Sequence, residues 1–292
     1  MRTYIFKLSV FICCLSVCQQ ITAQQVNEPT NVSADYTKPY PPFRIAGNLY
    51  YVGTYDVCVY LIVTPKGDIL VNTGLAASFQ SIKNSMEALG FKMTDIKILL
   101  TMQAHYDHMG AMAAIKKLTG AKMMIDEKDN AEMESGGSTD YAIGGHGSTY
   151  EPLKADRLLH DGDKIKLGGM QLTMLHHPGH TKGSCSFLFK VKDENRTYKV
   201  LLANMPSIVT SRKFSAIPEY PTIASDYAYT LAAMKKLHFD IWLCAHASQF
   251  DLHTKHKPGD AYNPAAFIDQ KGYDEAIADL QEDYNKKMAE EK

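Results

Sequence analysis

The chain has 292 residues, 45% of them hydrophobic and 22% charged, with a formal net charge of −1. That is ordinary globular composition, and it excludes a disordered, collagen-like or low-complexity protein. It also lacks the basic excess of a nucleic-acid binder or a polybasic membrane patch.

Residues 1–23 read as an export signal. Arg2 and Lys7 precede an apolar stretch from Leu8 to Val17, and a polar region ends at Thr22-Ala23. The run is too short to span a bilayer. The string Leu15-Ser16-Val17-Cys18 loosely resembles a lipoprotein cleavage site, although Val17 is bulky for the residue before the cut bond. Removal of 1–23 leaves 29 basic against 32 acidic residues, a net charge of −3, and a single domain over 24–292. Cys13, Cys14 and Cys18 leave with the signal. Cys58, Cys185 and Cys244 stay, each in an apolar strand-like run, and are expected as three buried free thiols.

Tyr40-Pro41-Pro42-Phe43 is expected to lie extended on the surface. Strands follow at NLYYV, CVYLIVT and DILVNTG, with turn residues between them. Phe79, Ile82, Met86 and Leu89 recur at spacings of three and four, which predicts a helix over 77–90. IKILLTM is a continuous apolar run, hence a strand buried on both faces. A short helix near 110–119 precedes the strand AKMMID. The stretch 127–160 reads as loop, and its glycine pairs near 136 and 144 suit a flap. Strands resume at DKIKL, MQLTMLHH, CSFLFKV and YKVLLAN. A helix near 223–237, the strand IWLCAHA and a charged helix over 265–291 complete the chain. Two batches of strands, each closed by helices, predict an α/β layered domain with two packed sheets and helices outside.

The chemistry concentrates at strand ends. Gln103-Ala104-His105-Tyr106-Asp107-His108 follows IKILLTM directly, and three metal-competent side chains fall within 105–108. Pro178-Gly179-His180-Thr181 follows MQLTML, and His246 follows IWLCA. A single strand-end histidine is usually structural. Four histidines and an aspartate repeated in that context point to a metal, and imidazole with carboxylate suits zinc.

These strings resemble the metallo-β-lactamase superfamily, whose pattern is His-x-His-x-Asp-His, a distant Pro-Gly-His-Thr and a last His. Within it the chain looks most like class B β-lactamases of the third subclass, and more narrowly the GOB-type enzymes, through PFRIAGNLYYVGTYD, QAHYDH, LHHPGHTKGSCSF, ANMPS and HASQFDLH. The resemblance implies an αββα sandwich, two mixed β-sheets flanked by helices. It implies a first zinc set of Gln103, His105 and His180, and a second of Asp107, His108 and His246. Gln103 stands where most members have histidine. A neutral amide is the weaker ligand, so the second set is expected to hold zinc more firmly, with one or two ions per chain.

The implied activity is hydrolysis of penicillins, cephalosporins and carbapenems by a metal-activated water, conferring resistance, with Asp107 also orienting the water or carrying its proton. Ser207 resembles the family's contact for the substrate carboxylate, and Lys182 and Tyr141 are further candidates. Met205 stands where relatives often carry Asp or Cys. A thioether is a poor zinc ligand, which disfavours a lactonase or thioesterase of the same fold. A zinc-binding protein with a dead site is the remaining alternative. His177 is either a support for a ligand or a plain strand-end residue. His253 and His256 are expected on a solvated loop, and His146, His160 and His238 on the surface. The expected state is a periplasmic monomer acting on a small molecule, with neither nucleic acid nor membrane as partner.

Overall fold

The computed structural model describes Met1 and residues 26–145, 147–194 and 196–291. The export-signal reading, apart from Met1, and His146 lie outside the described residues. β1 (Phe43–Ala46), β2 (Leu49–Tyr51), β3 (Tyr60–Ile62), β4 (Asp68–Val71), β5 (Ile96–Leu100), β6 (Lys122–Asp126) and β7 (Arg157–Leu159) form one sheet in that order. It is antiparallel from β1 to β4 and parallel from β4 to β7. The second sheet holds β8 (Lys164–Leu167), β9 (Met170–His176), β10 (Cys185–Lys192), β11 (Thr197–Ala203) and β12 (Ile241–Cys244), in the order β12-β11-β10-β9-β8. Only β11 and β12 run parallel there.

The period-2 alternation of strands explains the layering. Tyr60, Ile62, Ile69, Val71, Ile98 and Leu100 face the space between the sheets, where they meet Phe187, Phe189 and Val191 of β10. Leu61, Leu70 and Leu99 face the other way, onto α1 (Ser78–Ala88) and α3 (Met112–Thr119). α5 (Ile223–Met234) and α7 (Gln270–Ala289) contribute Leu231, Met234, Tyr273 and Ile277 to the core that includes the second sheet. Full burial of such side chains stabilises by about 1.5–3 kcal/mol each. The expected sandwich of two mixed sheets with outer helices is the observed fold.

The two sheets are also joined through backbone at one end. Cys185 N donates to Met102 O at 2.8 Å and Cys58 N to Ala245 O at 3.0 Å, while Val57 and His246 form an isolated bridge. Cys58, Cys185 and Cys244 are buried free thiols, as expected.

Three local expectations change. Tyr40 is buried, donating its hydroxyl to His256 O at 2.8 Å, and Phe43 opens β1 instead of lying on the surface. The 127–160 stretch contains α4 (Asn130–Glu134) and the short β7, which pairs with β6. His253, in the first turn of α6 (Leu252–Lys255), and His256, just after it, are half-buried. They stack on Tyr55 and Phe43 with ring centroids 3.7 and 3.6 Å apart, because aromatic faces cover them better than water does.

Candidate metal centre

The ligand candidates hang from the stitched end of the sandwich. Asn72, just past β4, adopts a left-handed φ of 62° and accepts from Met102 N at 3.0 Å, fixing the exit from β5. The following turn carries Gln103 and His105. The next residues form α2 (Tyr106–Met109), a single turn that buries Asp107 and His108. Pro178-Gly179 then aims His180 from the second sheet. Gly179 sits at φ 130°, and a Cβ there would meet the ring of Tyr227. His246 follows β12.

A buried carboxylate clamps two of these turns. Asp129 accepts from Ala104 N at 3.0 Å, Thr181 Oγ1 at 2.7 Å and Gly183 N at 2.6 Å. Gly183 has no room for a Cβ, which would strike the Asp129 backbone.

A cleft of about 350 Å3 results, lined by Gln103, His105, Asp107, His180 and His246 among others. A larger cavity of about 420 Å3 lies beside Phe43, His256 and Tyr262, away from these residues. Donor atoms of Asp107, His108 and His246 lie within 4.8 Å of one another. Asp107 Oδ2 is 3.3 Å from His246 Nε2 and 3.4 Å from His108 Nε2. Across the cleft the His105 and His180 rings stand 4.8 Å apart.

The far nitrogen of three imidazoles is engaged, which sets the tautomer and leaves the other nitrogen for the cleft. His246 Nδ1 meets Asp56 Oδ2 at 3.0 Å, and Asp56 Oδ1 accepts from Ser248 N at 2.9 Å. His105 Nε2 meets Asp140 Oδ2 at 3.3 Å. His180 Nδ1 meets Ser207 O at 2.7 Å and Ser207 Oγ at 3.2 Å.

The electrostatics describe a socket for cations. Burial alone would raise the Asp107 carboxyl, but His108, His246 and His105 hold it well below the usual range. Burial opposes protonation of His246, yet Asp107 and Asp56 push it up to about 9. Burial also opposes a proton on His105, and Asp140 overcomes it. Burial pushes His108 down to about 4, and burial with the neighbouring His105 pushes His180 down to about 3. The carboxylates of Asp107, Asp56 and Asp140 thus favour positive charge at His246 and His105, a charge that a metal would supply in place of protons. Gln103 Oε1 and both His108 nitrogens are buried without a hydrogen-bond partner among the described residues. Unpaired buried polar atoms are costly, and coordination would satisfy Gln103 Oε1 and one His108 nitrogen. The donor set of imidazole, carboxylate and amide oxygen fits zinc.

The comparisons agree with this geometry. The family model described as the metallo-β-lactamase superfamily matches residues 52–193. The class B3 di-zinc metallo-β-lactamase LRA-12 from an Alaskan soil metagenome is 67% identical, with a TM-score of 0.88, covering 89% of this chain and 99% of its own. The metallo-β-lactamase GOB-18 of Elizabethkingia meningoseptica is 55% identical, with a TM-score of 0.91, covering 92% and 100%. The chain belongs to the metallo-β-lactamase superfamily. Among curated relatives of this superfamily member, a probable metallo-hydrolase of Methanocaldococcus jannaschii is 24% identical over 47% of the chain. A hydroxyacylglutathione hydrolase of Bradyrhizobium is 27% identical over 46%. The matched stretches span 64% and 47% of those two relatives' lengths.

The remaining candidates separate. Ser207 and Met205 line the cleft. Tyr141 and Lys182 do not. Both line a neighbouring cavity of about 220 Å3, and Tyr141 spends its hydroxyl on Gly179 O and His180 O at 3.1 and 3.2 Å. The Lys182 ammonium lies 5.8 Å from the Tyr220 ring centroid. His177 is buried against Ser186 Oγ at 2.8 Å, while His160 and His238 are exposed. Sequence reading missed Tyr36, Asp56, Ile143 and Asn204 on the cleft wall. None carries a local pattern that separates it from ordinary loop or core residues.

Proposed function

We propose that this chain is a zinc-dependent β-lactamase that opens the cyclic amide of penicillins, cephalosporins and carbapenems. The observation that supports this most is one cleft with two facing donor sets. Gln103, His105 and His180 form one, and Asp107, His108 and His246 the other. The GOB-18 and LRA-12 likenesses point the same way. Bound zinc would acidify a water and polarise a carbonyl at this place.

The chain's own residues do the rest. Asp56, Asp140 and the Ser207 carbonyl hold the imidazoles in the binding tautomer. Asp107 faces the cleft as a carboxylate able to orient a water and take its proton. Ser207 Oγ stands at the cleft wall to meet the substrate carboxylate. Met205 offers no carboxylate at the wall, which favours a β-lactam over a thioester or lactone. No helix among the described residues is long and apolar enough to cross a membrane. The function fits export to the periplasm as a monomer.

Turnover of nitrocefin, imipenem and a hydroxyacylglutathione thioester, each with and without a zinc chelator, tests the reading. Chelator-sensitive loss of the first two substrates is the expected result. Turnover of the thioester alone would overturn it.

A further inference from the structure

The segment 138–145 touches the metal centre at two points and the substrate cleft at a third. Asp140 is buried. Its Oδ2 holds His105 Nε2 at 3.3 Å, while its Oδ1 accepts from Ala142 N at 2.8 Å and Ile143 N at 2.7 Å. One carboxylate therefore orients a ligand and shapes the turn after it. Gly144 N closes that turn onto Asp140 O at 3.2 Å, and Gly145 N returns to Ser138 O at 2.9 Å. The next residue, Tyr141, donates its buried hydroxyl to the carbonyls of Gly179 and His180. Ile143, at the far side of the turn, stands on the cleft wall. The second donor set has a separate carboxylate support: Asp56, from the β2–β3 connection, holds the far nitrogen of His246 and accepts from Ser248 N, and it makes no contact with segment 138–145 among the described residues.

We infer that Asp140 is a positioning residue that ties the substrate-facing turn at Ile143 to the first donor set, so that metal uptake at Gln103, His105 and His180 and the order of segment 138–145 are coupled. The inference rests on the ligand reading above. A metal at His105 requires the ring held with its Nε2 proton on Asp140. The same carboxylate must then stay where Ala142 and Ile143 need it. Coupling of this kind is reciprocal, because both events draw on one bistable contact. It acts on the set with the neutral amide ligand, where outside support has most to add.

Asp140→Asn separates the two duties of the side chain. Its amide oxygen still serves Ala142 N and Ile143 N. Its NH2 faces His105 Nε2 as a donor, which favours the opposite imidazole tautomer. Three readouts apply to the full-length wild type and the variant: zinc titration against a chromophoric chelator, hydrogen exchange of 138–145 with and without zinc, and KM against kcat for nitrocefin.

In the wild type, two zinc ions bind and the second equivalent slows exchange in 138–145. In Asp140→Asn, affinity at the weaker site falls about 10–100-fold while the tighter site is unchanged. Zinc then no longer slows the segment at the same concentrations, and KM rises more than kcat falls. Two-site titrations that superimpose, or exchange in 138–145 that ignores zinc in the wild type, would overturn the coupling and leave the ligand reading standing. Wild-type uptake confined to a single site would overturn the ligand reading itself, and the coupling with it.

Discussion

Asp129 offers the sharpest test of how the metal centre is held. It is 1% exposed and receives three donors, Ala104 N, Thr181 Oγ1 and Gly183 N. Two of these belong to residues adjoining Gln103, His105 and His180. Replacing it with alanine leaves the two backbone donors, Ala104 N and Gly183 N, without their acceptor, while Thr181 Oγ1 keeps Ser184 Oγ at 2.8 Å. At about 1 kcal/mol for each, the low end for a buried group left unpaired, the loss is about 2 kcal/mol. For a domain of this size that corresponds to a melting temperature lower by about 4–8 °C. The low end is the right one. Burial pushes the Asp129 carboxyl up to about 6 despite its Thr181 and Gly183 hydrogen bonds, so its charge carries a cost that alanine removes. Asp129→Asn keeps an acceptor and should lose less than alanine. Thermal melts of the metal-free proteins, followed by zinc titration, measure both effects. An alanine variant melting within about 1 °C of wild type would refute the clamp.

Three other outcomes follow from the same contacts. Asp107→Ala should lower β-lactam turnover by a hundredfold or more, the scale of a lost proton-transfer group, and weaken zinc at the set it shares with His108 and His246. Gln103→His should tighten the weaker zinc by tenfold or more in a chelator competition, since imidazole replaces an amide. His177 is buried and held neutral, its pKa pushed down to about 4 by burial. Its unfolded value is about 6.5, so its contribution is complete above pH 6.5 and is lost as pH falls through 4. Urea unfolding should therefore show His177→Gln losing about 3 kcal/mol less than wild type between pH 7 and pH 4.

The candidate ligands stood out in the sequence because each sits in a short string at the end of a strongly apolar run. β5, β9 and β12 are fixed by their own patterns, and the strand ends then carry the metal donors to one side. The groups that orient those donors were not legible. Asp56 lies 190 residues from His246, and Asp140 lies 35 from His105, so no local spacing marks either pair. Lys182 follows the turn of His180 in sequence, yet it lines a neighbouring cavity, because adjacency in the chain carries no direction. β7 escaped notice as a three-residue edge strand with no alternation to read. Tyr40 and Phe43 escaped because neighbouring prolines made their segment look like surface.

The main-chain bonds from Cys185 to Met102 and from Cys58 to Ala245 bind the sandwich like a book along one margin, and the metal donors sit in the spine. Breathing of the two leaves must start at the opposite rim, far from the chemistry. The amides of Cys58 and Cys185 should accordingly be among the last to take up deuterium, and heat should loosen the outer pages well before it disturbs the binding.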